Sequence, residues 1–340
     1  MKPLMQAAKT NPKRVIYSEG EDERVLRAVQ TVVKEGIAKP ILIGRPEVID
    51  MRLDRFGLSV RPGRDFELIN PNEDPRYRDY IATYLESAGR HGITPKAART
   101  LVRTNSTVIA AIAVKRGDAD AMLCGLDGRF NQRLRYIKDI IGLVPGATDL
   151  SAMCLMITNK GAFFLADTHV RHDPAAPEIA EMALMCAAHV RRFGIEPTIA
   201  FVSHSDFGSD DTPSALKMRD ALEILRQRAP DLEADGEMQA NTALSQAMRD
   251  LVLPSSRLKG EANLLVMPNL DAANIAYTMT IIMTNALLIG PILIGAAKAA
   301  HILTPSVTAR GIINMTAVSV AEAQDASANV PMTKEKMIAA

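Results

Sequence analysis

The chain has 340 residues, 47% hydrophobic and 23% charged, with a formal net charge of +1, a mix that excludes an intrinsically disordered chain. No long basic run stands out, only 4% of residues are aromatic and tryptophan is absent, so neither a nucleic-acid groove nor a base-stacking surface is expected. Three cysteines, Cys124, Cys154 and Cys186, lie in apolar surroundings and read as buried, reduced thiols rather than a disulfide or metal site.

The N-terminus, MKPLMQAAKTNPK, has no apolar core of signal-peptide type, and a cytoplasmic location is expected. RVIYSE (14–19) predicts a strand. DERVLRAVQTVVKEG (22–36) predicts a helix with Val25, Leu26, Val29 and Val32 on one face and Gly36 as its stop. KPILIG (39–44) predicts the next strand, followed by a helix near 46–56. Beyond a polar loop at 70–76, helices are predicted over 77–90, 95–103 and 106–116, then a buried strand, DAMLCG (120–125), and a helix over 129–141. GLVPGATDLS (142–151) is turn-rich and marks a domain crossing. AMCLMIT (152–158) and AFFLAD (162–167) flank Asn159-Lys160-Gly161, a hairpin signal in an otherwise parallel βα pattern. A helix over 176–193, strand PTIAFVS (197–203), a helix over 213–228, LEADGE, a helix over 239–251 and strand NLLVMP (263–268) continue the alternation. Residues 275–297 approach the length of a membrane span. Thr278, Thr280, Thr284 and Asn285, with the Gly290-Pro291 break, instead predict a helix near 271–286 and a buried strand of a parallel sheet over 287–295. A last helix is predicted over about 309–324, and the tail from Asp325 onward lacks a sustained pattern and is expected to fray.

LTPSVTARGIINM (303–315) follows that last strand. Ligands collect at the carboxyl ends of parallel strands, yet this stretch holds no carboxylate and a single cation, Arg310. EGEDERVLRA (19–28) puts Arg24 in the first turn of a helix just beyond a strand, a natural place for phosphate. Glu19, Glu21, Asp22 and Glu23 crowd that entry, so helix capping by acids is the competing reading. CGLDGRFNQRLRYIK (124–138) offers Gly125 and Gly128, then Arg129, Arg133 and Arg135, which either clamp phosphate oxygens or form a solvated basic face. Neither stretch has the spacing of a dinucleotide fingerprint or a nucleotide-triphosphate loop. FVSHSDFGSDD (201–211) sets Ser203, His204, Ser205 and Ser209 on a strand-end loop without a nucleophile elbow, and His204 reads as a loop residue held by its neighbours. DGEMQANTAL (235–244) and MPNLDAANIAY (267–277) put Asp235, Glu237, Gln239, Asn269, Asp271 and Asn274 at strand ends, where capping accounts for Asp271. The remaining histidines, His169 and His172 among them, show no metal-ligand spacing, and no metal is expected.

Taken in order, EGEDERVL, GDADAMLCG, DGEMQ, GEANLLVMPNLDAANIAY and IGPILIG resemble the phosphate acetyl/butyryltransferase family from about Arg14 to Gln324. HILTPS, SHSDFGS and ADTHVRHDP make the chain most similar to the C-terminal phosphotransacetylase-like domain of hybrid NADP-dependent malic enzymes. The resemblance implies a two-lobed α/β fold of parallel-sheet domains with a ligand cleft between them. It implies a discontinuous first domain, 1–144 plus 294–340, and a second domain over 145–293. Active members of the family move an acyl group between coenzyme A and phosphate with no metal at the reacting centre. They use a serine and an arginine in an LSRG motif and an aspartate seven residues after the serine as base.

Laid over this chain, LSRG falls on Leu303-Thr304-Pro305-Ser306, so the arginine position is Pro305 and the aspartate position is Gly311. The family's SxSTKGS loop falls on Ser203 to Ser209, with Phe207 at the lysine. The resemblance therefore implies no catalytic residue here. It implies an acetyl-CoA site drawn from Arg24, Arg129, Arg135, Ser203, Ser205, Asn274, Thr304, Pro305 and Ser306. The expectation is a catalytically silent regulatory domain that inhibits a malic enzyme and forms a homo-oligomer of at least two copies. NADP and a divalent metal would belong only to the malic enzyme portion, which this stretch does not contain. The alternative is an active phosphate acetyltransferase in which Arg310 or His301 takes over the missing roles.

Overall fold

The structure, a computed structural model, describes residues 1–328. The chain separates into two compact units, Met1–Val144 together with the described residues from Ala296 on, and Pro145–Gly295.

Helix α1 (Lys2–Thr10), which the sequence reading lacks, precedes β1 (Arg14–Tyr17) and α2 (Glu23–Glu35). Asp22 starts α2 by accepting a hydrogen bond from the Arg24 N–H, and Gly36 ends it in the left-handed conformation at φ 67°. Val25, Leu26, Val29 and Val32 are buried, as their spacing predicts. Next come β2 (Lys39–Ile43), α3 (Pro46–Arg55) and β3 (Glu67–Ile69), the last too short to show a period. Helices α4 (Tyr77–Ala88), α5 (Pro95–Thr104) and α6 (Ser106–Arg116) lead to β4 (Ala121–Cys124) and α7 (Phe130–Ile140). Thr107 through Val114 are all buried, so α6 is the inner helix of this layer.

The second unit opens with β5 (Ser151–Thr158) and β6 (Gly161–Ala166), an antiparallel hairpin. It continues through α8 (Ala176–Arg192), β7 (Thr198–Val202), α9 (Pro213–Arg228) and β8 (Glu233–Met238). Where one helix is predicted over 239–251 there are two, α10 (Ala240–Ala243) and α11 (Gln246–Val252). Ser245 separates them by adopting an extended backbone and capping the Met248 N–H. Strand β9 (Leu264–Val266), α12 (Leu270–Thr284) and β10 (Leu287–Ile294) complete the unit. Its sheet runs β10-β5-β6-β9-β7-β8, parallel from β6 to β8.

Strand β10 corrects the expected parallel strand over 287–295. It pairs antiparallel with β5 and lies at the sheet edge. Pro291 has no N–H for a second ladder, which suits it to an edge, and the register shifts between Ile289 and Ile292.

The chain re-enters the first unit through β11 (Ala299–Ile302), a strand not predicted because its four buried residues, with His301 among them, show no alternation. Helix α13 (Ala309–Ala328) follows. The sheet β11-β4-β1-β2-β3 is parallel throughout. The 303–315 stretch therefore does leave the carboxyl end of a parallel strand, but that strand is β11. Helix α13 includes 325–328, part of the tail expected to fray, and the rest of that tail lies outside the described residues. No helix among the described residues is long and apolar enough to cross a membrane.

Candidate functional site

In the first unit the chain runs outward from β1 through β2 to β3 and returns on the other side of β1 as β4. Such a switch point leaves a crevice at the strands' carboxyl ends. The turns after β1, β4 and β11 meet there. The Gly125 N–H donates to Glu19 Oε1 at 3.1 Å, and the Leu303 N–H donates to the Cys124 carbonyl at 2.6 Å. Gly125 has φ +105°, and a Cβ on it would lie 2.4 Å from the Leu303 oxygen, so only glycine permits this approach.

Arg24 ties the same turns together. Its guanidinium pairs with Asp22 at 2.9 Å and donates to the carbonyls of Pro305 at 2.6 Å, Val307 at 3.2 Å and Leu126 at 3.5 Å. Beside it, Thr304 Oγ1 and Ser306 Oγ lie 3.1 Å apart, and Pro305 and Ser306 are exposed.

A cavity of about 330 Å³ opens at this edge, lined by Ser18, Glu19, Asp22, Arg52, Ser106 and Asp127 among others. Glu19 is not the capping acid the sequence suggests. Asp22 caps the helix, while Glu19 is 12% exposed and pairs with Arg133 at 3.1 Å. Its Oε2 is buried with no hydrogen-bond partner. Burial pushes the Glu19 carboxyl up to about 7, with Arg133 and the Gly125 N–H pulling the other way. Glu19 directly follows a strand and stands three residues before the cap, the one sequence signal that could have set it apart. Arg133 turns inward to Glu19, Asp127 and Thr107, so it does not form the basic face of α7. Arg129 is the exposed N-cap residue of α7. Arg135 is 73% exposed, lies 3.5 Å from Asp139, and borders a separate cavity of about 340 Å³ walled by Tyr84, Ala97, Leu101 and Tyr136. His301, one of two residues considered as a replacement catalyst, is fully buried on β11 with its Nε2 3.4 Å from Glu322.

The second unit gathers its polar residues at the ends of β6, β7 and β8. Ser203 accepts from the Ser205 N–H at 3.3 Å, and Ser205 donates to the buried Glu237 at 2.7 Å. The Gly208 N–H also donates to Glu237, at 2.9 Å, which fixes the loop after β7. His204 lies 3.3 Å from Asp210 and 3.2 Å from Thr212. Asn274, on α12, donates to the Thr168 carbonyl at 3.2 Å. A chain of contacts runs beside it: Cys154 to Thr168 at 3.2 Å, Thr168 to His169 Nδ1 at 2.8 Å, and His169 Nε2 to the Tyr277 hydroxyl at 3.3 Å. Burial lowers His169 to about 4, so its ring is neutral at pH 7 and a weak base. Asp167 rises to about 6 by burial, although the N–H groups of His169, Val170 and Arg171 point at it. From sequence His169 stands out only as a histidine without metal-ligand spacing and Tyr277 not at all, because their meeting depends on the packing of α12 against the hairpin.

Among the described residues no group of three or more His, Cys, Asp or Glu is placed to hold a metal. Cys124, Cys154 and Cys186 are buried and free, and burial raises the Cys154 thiol to about 12.

A family model for phosphate acetyl/butaryl transferase matches residues 1–320. The NAD-dependent malic enzyme of Rhizobium meliloti is 57% identical over 323 residues, covering 95% of this chain and 42% of that protein. The NADP-dependent malic enzyme of Escherichia coli is 47% identical over 325 residues, covering 95% of this chain and 43% of that protein. The chain thus spans under half the length of these relatives. The crystal structure of a phosphotransacetylase from Streptococcus pyogenes superposes with a TM-score of 0.88 at 30% identity, covering 96% of this chain and 99% of that one.

Proposed function

Because the chain belongs to the phosphate acetyl/butaryl transferase family, we propose that it is a catalytically silent, acetyl-CoA-binding regulatory domain of a malic enzyme polypeptide. In this reading acetyl-CoA inhibits the oxidative decarboxylation of malate carried out by the rest of that polypeptide, and the domain contributes to homo-oligomer assembly. The nicotinamide cofactor and the divalent metal belong to the rest of the polypeptide. Inhibition requires that acetyl-CoA bind two states of the whole protein unequally.

One observation carries this reading. The loop leaving β11 presents Thr304, Pro305 and Ser306, and the first turn of α13 presents Gly311, where the resemblance calls for serine, arginine, glycine and aspartate. Acyl transfer between a thiol and phosphate needs a proton acceptor near the sulfur and a donor for charge developing on the acyl oxygen. Losing the first typically costs ~100- to 10,000-fold and losing the second ~100- to 1,000-fold. Position 311 is also closely packed, since a Cβ there would meet Val307 Cγ2 at 2.8 Å.

The residues present suit the ligand. Arg129 and Arg135 are exposed cations for its phosphates. The cavity beside Arg135 offers tyrosine and aliphatic walls to a flat ring. Within the first unit Thr304 and Ser306 carry hydroxyls, and within the second unit Ser203 and Asn274 carry neutral hydrogen-bonding groups. Arg24 and Ser205 belong to the same proposed set, and each also bonds within its own unit.

Calorimetry with acetyl-CoA and an assay of acetyl phosphate formation, run on one purified sample, test the proposal. The expected result is saturable binding tighter than ~1 mM with no transfer above background. Absence of binding would sink it.

Glu19 favours a second reading, an active phosphate acetyltransferase, because a carboxyl titrating near 7 beside a cavity is a competent base. Turnover of ~1 s⁻¹ or faster, typical of enzymes, that Glu19→Gln abolishes would establish that reading instead.

A further inference from the structure

The turns after β1 and β2 are pressed together at the switch point of the first unit. A Cβ on Gly20 would lie 2.6 Å from the Ile43 carbonyl oxygen, and one on Gly44 would meet Glu21 Cγ and Ile49 Cδ1 at 2.9 Å. Beside these turns and the start of α6 lies the cavity of about 330 Å³, at the lower end of the range for small-molecule sites. Two buried groups on residues of its wall have no hydrogen-bond partner. They are the hydroxyl of Ser18, a residue only 2% exposed, and Glu19 Oε2. Buried polar groups are normally paired, so each marks a place for a partner that the chain itself does not bring. Ser106 adds a hydroxyl on the first turn of α6, spared from capping because the Asn105 side chain accepts from the Val108 N–H. Ligand hydroxyls suit such a wall, since each can both donate and accept.

Charge selects the rest of the ligand. Four carboxylates border the cavity, and three arginines hold them: Arg45 on Glu21 at 2.8 Å, Arg24 on Asp22 at 2.9 Å, and Arg133 on both Glu19 and Asp127. Arg52 is the fourth arginine. It donates to the Glu21 carbonyl and pairs with no carboxylate among the described residues, which fixes its guanidinium at the wall with donors to spare. With Glu19 ionised the acids and arginines balance. With Glu19 protonated, the form that burial favours, one positive charge is left over. A single negative charge on the ligand matches that surplus. A phosphate monoester, at about −2 near neutral pH, would set its second charge against Glu21, Asp22 and Asp127.

We infer that this cavity binds a small monocarboxylate bearing hydroxyl groups, with its carboxylate on Arg52 and its hydroxyls on Ser18, Glu19 and Ser106. None of these four residues belongs to the acetyl-CoA set, so the inference goes beyond the function proposed above. Acetyl-CoA calorimetry on the same samples separates a failure of one from a failure of the other. The test is calorimetry of the full chain with D-glycerate, L-lactate and D-gluconate at pH 6, 7 and 8. Acetate and glycerol serve as probes that keep only half of the chemistry. At least one hydroxy acid should bind with a Kd below ~1 mM, and neither acetate nor glycerol should. Arg52→Met should weaken that binding by ~10-fold or more, the range for a hydrogen bond to a charged group, and Ser106→Ala by ~2- to 10-fold. Both variants should keep their circular dichroism and their acetyl-CoA affinity. Affinity should fall from pH 6 to pH 8 in the wild-type chain, as Glu19 loses its proton beside Arg133, Asp127 and Cys124, and stay level in Glu19→Gln. Binding of none of the three acids, or acetate bound as tightly as they are, would overturn the inference. Hydroxy-acid binding that Arg52→Met and Ser106→Ala both leave intact would overturn its assignment to this cavity.

Discussion

Glu19 shows how one burial event ties stability to pH. In an unfolded chain this carboxyl ionises near 4.5, but in the fold burial holds it protonated until about 7. Between those values the folded state binds more protons than the unfolded one, so this group's contribution to stability falls as pH rises. Asp167, raised to about 6, acts in the same direction, while His169, lowered to about 4, acts in the opposite one. Both remain in a Glu19→Gln variant, so the difference between the two proteins isolates Glu19. Urea unfolding at pH 5, 6 and 7 should show wild-type stability falling relative to the variant by about 1 kcal/mol per pH unit, just under the limit for one proton. Parallel profiles would mean that Glu19 titrates normally and that its missing partner is supplied by solvent.

At the scale of elements, the loop from β11 to α13 keeps its shape through Arg24. Charge-assisted bonds from one guanidinium to the Pro305 and Val307 carbonyls fasten the six-residue segment 303–308. Arg24→Ala should speed amide exchange across 303–308 and cost ~1–3 kcal/mol of stability. Arg24→Lys should fall between, since an ammonium cannot fork to both carbonyls. Unchanged exchange in that segment would show that the loop holds itself. Arg24 also marks where reading the sequence stops. A cation in the first turn after a strand correctly located the edge of the sheet, but not whether it meets a ligand or the backbone. Helices α2, α6 and α8 and the β5–β6 hairpin were legible because their periodicity or turn chemistry is local. Strand β3, with three residues, was not, and neither was β11, where Ala299 and Ala300 are weak strand formers. The direction of β10 was hidden as well, since an apolar run looks alike in a parallel or an antiparallel ladder. The Glu19–Arg133 pair and the His169–Tyr277 contact join residues more than 100 positions apart, a separation no spacing rule reaches.

At the scale of the whole molecule, the two units depend on the chain differently. Every strand of the second unit comes from one continuous stretch, Pro145–Gly295. The first unit is closed by residues from beyond that stretch. Strand β11 completes its sheet beside β4, and α13 buries Ile312, Met315, Val318 and Val320. Gln324 on α13 donates to the carbonyls of Ala7 and Asn11, joining the last helix to the first. At ~1.5–3 kcal/mol for each buried side chain, those four represent on the order of 10 kcal/mol, comparable with the ~5–15 kcal/mol that holds a domain folded. A chain ending at Thr308 should therefore lose the first unit and keep the second, and the isolated 145–295 fragment should unfold cooperatively in urea. An unfolded fragment, or a truncated chain that retains both units by calorimetry, would show that the second unit draws its stability from residues outside its own sheet.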